Sequence, residues 1–227
     1  MNVFVLKIVA LVSMLIDHVG AVFFPDMTIL RVVGRIAFPV FVYLIAEGFR
    51  RTKSPWKFVA RLGVFAIISE IPFDLAFNGG VDFFANTNIF YTLFLGGLAI
   101  AAHKFLPFIP VLGCMALAEY LSSDYGAYGV LFVFCMYIIS NFKLRLAAMA
   151  VLSLWQHAWM LSWGIVYLVY IPIYLLMLPA TLIPVALIAL YNGKRGVGLK
   201  WFFYAAYPIH LLVFALIAAC FDCCRRV

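Results

Sequence analysis

Ionisable side chains interrupt the first two apolar segments of this 227-residue chain. Asp17 and His18 are neighbours in the first segment, and Arg31 and Arg35 lie four residues apart in the second. Such a group at the centre of a membrane helix costs about 2.5–3.5 kcal/mol or more, so each needs a physical reason. A histidine beside a carboxylate is suited to act as a base, and a guanidinium can hold an oxyanion. These residues therefore indicate proton transfer with stabilisation of negative charge, the alternative being arginine–carboxylate pairs that serve helix packing alone.

A second group of polar residues follows further along the chain, and its members are candidates for binding a substrate: Glu70, Asp74, Asn88, Tyr207 and His210. Glu70 and Asp74 are four residues apart, so they share one face of a helix. Asn88 precedes an apolar segment, where it can cap the helix or hydrogen-bond in the site. His210 lies within the last apolar segment, one turn after a proline that exposes backbone carbonyls.

The most basic segment is the loop at residues 50–57, with sequence RRTKSPWK. The positive-inside rule predicts that this loop is cytoplasmic. Its charges can serve topology alone. A compatible second interpretation is that Arg50, Arg51, Lys53 and Arg61 bind the phosphates of a cytoplasmic polyanion such as a nucleotide or coenzyme A.

Composition restricts the fold that positions these residues. Hydrophobic residues make up 67% of the chain and charged residues 11%, with a formal net charge of +7 and a mean hydropathy of +1.12. Soluble domains carry roughly 25% charged residues, so a soluble enzyme, a nucleic-acid-binding domain and a disordered chain are excluded. Continuous apolar runs of about 20 residues predict an all-α, polytopic integral membrane helical bundle.

Nine transmembrane spans are predicted, near residues 4–24, 28–49, 57–77, 88–103, 105–121, 126–141, 144–160, 163–191 and 199–221. The stretch 163–191 contains three prolines and crosses once or twice, which gives nine spans or ten. Alternation from the basic loop predicts a cytoplasmic N-terminus. Since no repeat or hydrophilic segment is visible, residues 1–227 are expected to form one transmembrane domain.

Cysteine usage predicts no metal site. Cys220, Cys223 and Cys224 cluster near the C-terminus, but no second Cys/His pair has the spacing of a zinc site. The role of this cluster is left open.

Several segments carry a resemblance to a known family: 6–8 (LKI), 14–20 (MLIDHVG), 34–41 (GRIAFPVF), 47–49 (EGF), 69–75 (SEIPFDL), 88–90 (NIF), 125–126 (YG) and 203–211 (FYAAYPIHL). They resemble the TraX family nearly from end to end, and the DH and GRxAFPxF segments are the specific part. TraX is associated with N-acetylation of pilin. The family looks related to the wider transmembrane acyltransferases, which use cytoplasmic acyl-CoA and a histidine near the end of an early span.

The resemblance implies that His18 is the catalytic histidine, Asp17 its neighbour and Arg35 the arginine of the second span. It implies acetyl-CoA as donor, and as acceptor an amine or hydroxyl of pilin, a sugar or a lipid head group. Acyl transfer needs a base, an oxyanion donor and a means of holding both substrates together. Arg31 is expected to matter less, because it can turn towards the outer interface.

Two other classes stay open from sequence. A proton-coupled transporter also places acids, arginine and histidine in its spans, although no inverted repeat is visible. A non-catalytic membrane scaffold is the other. The expected partners are membrane lipid, acetyl-CoA and an acceptor. No nucleic acid is expected, and association with a second copy is left open.

Overall fold

Helices dominate the computed structural model, which describes residues 1–82, 85–164 and 171–225, with side chains except at 157, 159–164, 171–174, 176 and 222–225. The helices are α1 (Val3–Phe23), α2 (Thr28–Gly34), α3 (Ala37–Arg51), α4 (Pro55–Phe77), α5 (Ile89–His103), α6 (Ile109–Tyr120), α7 (Gly126–Ile138), α8 (Phe142–Gly164), α9 (Ile171–Ala189) and α10 (Lys200–Arg225). Across the described residues the predicted all-α fold is confirmed.

Among the residues that the structure describes, three helical stretches are long and apolar enough to cross a membrane: Val3–Phe23, Thr28–Arg51 and Lys200–Phe221. The shorter apolar helices are Ile89–His103, Ile109–Tyr120, Gly126–Ile138 and Met177–Ala189. Each predicted span coincides with one helix, except that 28–49 corresponds to α2 and α3 together. In the stretch 163–191, the described part forms the end of α8 and then α9, which continues through Pro179 and Pro184.

Contacts divide the chain into two compact units. Unit 1 comprises residues 1–44 and 139–198, and unit 2 comprises residues 45–138 and 199–227. In unit 1, α1 packs on α2, α2 contacts α9, and α8 packs on α9. In unit 2, α4 packs on both α5 and α10, while α5, α6 and α7 pack on one another. The single domain expected over 1–227 stays a prediction.

The second predicted span is broken between α2 and α3. Pro39 has no amide hydrogen to donate to the carbonyl of Arg35 four residues earlier, and its ring crowds that carbonyl. The chain turns more tightly there: the amide of Arg35 donates to the carbonyl of Val32 at 3.2 Å, and that of Ile36 to Val33 at 3.3 Å. The break therefore leaves Arg35 at the C-terminal cap of α2.

Small residues let α1 and α2 approach closely. The hydroxyl of Ser13 donates to the carbonyl of Val33 at 2.7 Å. A Cβ placed on Gly20 would lie 2.7 Å from the Cβ of Leu30, so α1 lies against α2 at this point. Close packing at small residues is the usual way in which membrane helices associate. The pairings run in opposite directions along the two helices, which are therefore antiparallel.

The start of α1 is joined to the segment that follows α9. The amide of Val3 donates to the carbonyl of Lys194 at 3.0 Å, and the amide of Asn192 donates to Met1 at 2.8 Å. Both segments therefore lie at the same end of unit 1. This agrees with an even number of crossings between them, as expected if 163–191 crosses once and the chain has nine spans.

Candidate functional site

Asp17 forms the centre of a charged cluster between α1 and α2. Its Oδ2 lies 2.6 Å from Nη1 of Arg31, and its Oδ1 lies 3.5 Å from Nη2 of Arg35. The carboxylate is only 13% exposed and the Arg35 side chain 17%. Since two guanidinium groups face one carboxylate, the cluster carries one surplus positive charge. The structure thus brings together two of the three predicted catalytic residues.

Arg31 departs from the sequence expectation. It was expected to turn towards the outer interface, but its Nη1 donates to the carboxylate of Asp17 and, at 3.3 Å, to the backbone carbonyl of the same residue. Arg35 supports this arrangement, because its Nε donates to the carbonyl of Arg31 at 3.3 Å. The physical reason is that α2 ends after only two turns, so that both arginines lie beside one acid of α1.

Gly34 is a site residue that the sequence reasoning missed. A Cβ at this position would overlap the side chain of Asp17, including its carboxylate. Only a glycine therefore allows Asp17 to lie against α2 between the two arginines. The glycine stands in the GRxAFPxF segment, but its role becomes visible only when the residue that packs on it is known.

His18 follows Asp17 directly in α1 and is half-buried. Successive residues of an α-helix point about 100° apart, so His18 occupies the face of α1 next to the one that meets α2. His18 therefore stands on the same turn of α1 as Asp17, the acid at the centre of the charged cluster. This placement agrees with a base beside a group that can hold an oxyanion.

Glu70 and Asn88 join α4 to α5 within unit 2. The Oε2 of Glu70 accepts hydrogen bonds from the side-chain amide and, at 3.3 Å, the backbone amide of Asn88. The same side-chain amide donates to the carbonyl of Ala66 at 2.8 Å, and Asn88 Oδ1 accepts from the amide of Phe90 at 3.0 Å. Asn88 is thus the N-cap of α5, one of the two roles predicted for it. The Oε1 of Glu70 is buried without a hydrogen-bond partner.

Asp74 serves the turn after α4. Its Oδ1 accepts from the side-chain amide of Asn78 at 3.0 Å, and its Oδ2 accepts from the backbone amide of Asp82 at 2.9 Å. Glu70 and Asp74 are both buried on α4, as their spacing predicts, but they hold different segments. Asp74 therefore has a clear structural role, whereas Glu70 retains one unbonded oxygen.

Tyr207 and His210 lie on α10 in the same unit. The Tyr207 ring meets the ring of Phe90 edge-on with centroids 5.3 Å apart, and the His210 ring lies 5.5 Å from that of Tyr207. His210 Nδ1 is 2.7 Å from the carbonyl of Ala206. Because a carbonyl only accepts, Nδ1 carries the hydrogen of this contact. The start of α5 and the middle of α10 therefore meet at Phe90.

Two of the basic residues predicted to bind phosphate make contacts within the protein. Arg50 donates to the carbonyl of Met136, at 3.4 Å, and to that of Tyr137, so it satisfies the C-terminal end of α7. Arg51 forms an ion pair with Glu47, one turn earlier in α3, at 2.6 Å.

Arg61 and Lys53 differ in their surroundings. The Arg61 guanidinium lies 5.4 Å from the centre of the Phe58 ring, and it interacts with the hydroxyl of Tyr204. Lys53 is exposed. A phosphate role for this set stays a prediction.

In the part of the chain that the structure describes, no group of three His, Cys, Asp or Glu side chains could hold a metal ion. Cys220 is exposed on α10, whereas the side chains of Cys223 and Cys224 lie outside the described residues.

This chain is similar to known proteins along most of its length. The family described as "TraX protein" matches residues 3–218. The "Probable fimbrial assembly protein FimC, serogroup H1" of Dichelobacter nodosus is 30% identical over 234 aligned residues, covering 92% of this chain and 93% of that protein. An uncharacterized protein of Rickettsia prowazekii (strain Madrid E) is 34% identical over 91 residues, 40% of this chain and 33% of its own length. No solved structure matches. Because the family match runs almost from end to end and includes the Asp17–Arg35 cluster, this chain belongs to the TraX family.

Proposed function

We propose that this chain is an integral membrane acetyltransferase that moves the acetyl group of cytoplasmic acetyl-CoA to an amine or hydroxyl acceptor. The observation that carries the proposal is the charged cluster of Asp17, Arg31 and Arg35 beside His18. A half-buried imidazole next to surplus positive charge provides a base and an oxyanion donor together, which are the two groups that acyl transfer requires.

We infer the following roles from the charged cluster and from the position of His18 beside Asp17. The acceptor nitrogen or oxygen attacks the carbonyl carbon of the thioester, and its proton passes to His18. Arg35, the less exposed of the two arginines, stabilises the resulting oxyanion. The carbon–sulfur bond then breaks, and the leaving thiolate takes the proton from His18. Asp17 keeps both guanidinium groups in position during the reaction. Arg31 forms the shorter of the two ion pairs with Asp17. An acetyl-histidine intermediate is the alternative course.

The acceptor is proposed from the relatives. The Dichelobacter nodosus protein has a name that refers to fimbrial assembly. We therefore place an amine of a fimbrial or pilin subunit first among the acceptors, ahead of a sugar or a lipid head group. The proposed location is the bacterial inner membrane. The N-terminus is proposed to lie in the cytoplasm, because the positive-inside rule predicts that the basic loop at 50–57 is cytoplasmic.

Radiolabelled acetyl-CoA and purified protein in detergent test this proposal. Release of free coenzyme A and transfer of label to a pilin peptide, a sugar or a lipid are measured separately. Turnover that disappears in the folded His18→Ala variant supports the proposal. No turnover with any acceptor contradicts it, and proton flux in proteoliposomes then separates a transporter from a scaffold.

A further inference from the structure

Unit 1 carries a large excess of positive charge. Its residues include seven Lys and Arg but only two Asp. Arg31 and Arg35 bind Asp17, and Asp26 lies in the loop beyond the end of α1. The remaining basic residues of the unit are Lys7, Lys143, Arg145, Lys194 and Arg195. Most of the excess charge therefore lies away from the Asp17 cluster.

A short glycine-rich loop presents part of this charge at the start of α1. The loop, residues 193–198 with sequence GKRGVG, has positive φ angles of 75° at Gly193 and 71° at Gly196. A Cβ on Gly196 would lie 2.9 Å from the side chain of Asn2, so the loop packs tightly there. Its backbone is thus fixed, whereas the side chains of Lys194 and Arg195 are exposed.

The same loop brings like charges together. Lys7 of α1 lies close enough to Arg195 for the two charges to interact, although Lys7 is itself half-buried. Two cations held near one another repel, and an anion between them would remove that repulsion. Phosphate groups are anions that lysine and arginine side chains bind well, through charge-assisted hydrogen bonds.

The position of Lys7 on α1 relates this site to His18. The two residues are eleven positions apart, which places them about 20° apart around the helix and roughly 16 Å apart along it. They therefore lie on the same face of a continuous helix. An extended amide chain advances about 1.2 Å per bond. The pantetheine arm of coenzyme A, with roughly thirteen bonds from phosphorus to sulfur, thus spans about 16 Å.

We propose that Lys7, Lys194 and Arg195 form the binding site for the phosphate groups of the acyl donor, and that α1 sets the distance from these phosphates to His18. This inference rests on the proposed acetyltransferase function, and it places the donor phosphates at the 193–198 loop. The loop at 50–57 then serves topology, with Arg50 and Arg51 engaged in the contacts described above. The alternative ligand for these three side chains is the phosphate of a lipid head group.

The test compares two acetyl donors that differ only in the phosphate-bearing part. Acetyl-CoA carries the phosphates, and S-acetylpantetheine lacks them. We expect Lys7→Met and Arg195→Gln each to raise the KM for acetyl-CoA about tenfold or more, the effect of losing one charge-assisted hydrogen bond. Neither should change kcat/KM for S-acetylpantetheine. Lys104→Met, which removes an exposed lysine at the end of α5, is the matched control and should leave the KM for both donors unchanged. Lys53→Met tests the other basic loop.

Binding is measured as well as turnover. Radiolabelled coenzyme A bound to the wild type should be displaced by inorganic pyrophosphate, and both variants should bind it more weakly. Should Lys7→Met not fold, Arg195→Gln decides, because that side chain is exposed in a loop. The second arm repeats the kinetics in nanodiscs of zwitterionic lipid and in nanodiscs of anionic lipid. The variants should show a raised KM for acetyl-CoA in both.

The possible failures can be told apart. Wild-type turnover with an unchanged acetyl-CoA KM in Lys7→Met and Arg195→Gln overturns this inference and leaves the acetyltransferase standing. A raised KM in Lys53→Met instead moves the phosphates to the 50–57 loop. An effect that appears only with anionic lipid assigns the site to a lipid phosphate. Absence of turnover with either donor in the wild type overturns the acetyltransferase proposal itself.

Discussion

The two guanidinium groups that face Asp17 differ in their distance from its carboxylate and in their exposure to solvent. Arg31 makes the shorter contact, 2.6 Å, and also reaches the backbone of α1, but its side chain is 36% exposed. Arg35 lies farther from the carboxylate and is better shielded from solvent. Arg35 is therefore better placed than Arg31 to stabilise the negative charge that develops during the reaction.

His18→Ala should abolish acetyl transfer while the protein still inserts into the membrane. Loss of a general base lowers the rate by about 10²–10⁴. The measurement is kcat for coenzyme A release, with folding checked by size-exclusion chromatography. His103→Ala, at the far end of α5 in unit 2, is the control and should keep its activity. A folded His18→Ala protein with full activity would remove His18 from the mechanism.

Arg35→Lys should lower kcat more than Arg31→Lys does. Lysine cannot form the two-pronged contact of a planar guanidinium, and at position 35 it also loses the Nε hydrogen bond to the carbonyl of Arg31. At position 31 a lysine can keep a single ion pair with Asp17. Equal losses of kcat at the two positions would show that the pair acts as one unit, and the assignment of the oxyanion to Arg35 would then be wrong.

At the scale of the element, the contact between α1 and α2 depends on Gly34. Gly34→Ala should drive the Asp17 side chain away from α2, at a cost of about 1–3 kcal/mol for an overpacked site. Both the apparent Tm in detergent and the transfer activity should fall. Gly113→Ala is the control, because Gly113 lies in α6 with open space where a Cβ would stand. An unchanged Tm for Gly34→Ala would mean that α1 and α2 are farther apart than described.

The junction of α4 and α5 depends on Asn88. Asn88→Ala removes the N-cap, worth about 1 kcal/mol, and takes away the two side-chain donations to Glu70 and Ala66. The buried Glu70 then loses part of its hydrogen bonding, which adds about 1–3 kcal/mol. The apparent Tm should drop clearly for this variant and stay constant for Asn86→Ala, whose side chain is exposed. Equal Tm values for the two variants would contradict the capping role.

Local features of these elements could be predicted from sequence, and non-local partners could not. Apolar runs indicated the helices, and the position of Asn88 before such a run indicated a cap, because both depend on neighbouring residues. The contacts of Gly34 with Asp17, of Arg31 with Asp17 and of Arg50 with the end of α7 join residues distant in sequence. Sequence showed that these charges need partners, but the partners are set by packing.

At the scale of the whole molecule, the predicted site residues divide between the two units. Asp17, His18 and Arg35 belong to unit 1, whereas the proposed substrate residues of α4, α5 and α10 belong to unit 2. Spacing along the chain did predict that acids and arginines share helix faces. It could not predict this division, because each unit is built from two separate segments of the chain: residues 1–44 and 139–198 in unit 1, and residues 45–138 and 199–227 in unit 2.

The backbone hydrogen bonds between the start of α1 and the segment after α9 lead to the last prediction. Val3 and Lys194 are 3.0 Å apart from nitrogen to oxygen, so both segments must face the same side of the membrane. Cysteines introduced at Ser54 and Val197, in a variant whose native cysteines are serine, should both be protected from a membrane-impermeant maleimide in intact cells. Val197 is 60% exposed, so it should react once the cells are permeabilised.

A cysteine at Asp26, in the loop between α1 and α2, is the control and should react from outside. Labelling at Val197 but not at Ser54 in intact cells would mean that 163–191 crosses twice and that the chain has ten spans. It would also place Lys194 and Arg195 outside, away from cytoplasmic acetyl-CoA. Protection of both positions therefore supports the nine-span topology and the access of the donor to the loop at 193–198 with a single measurement.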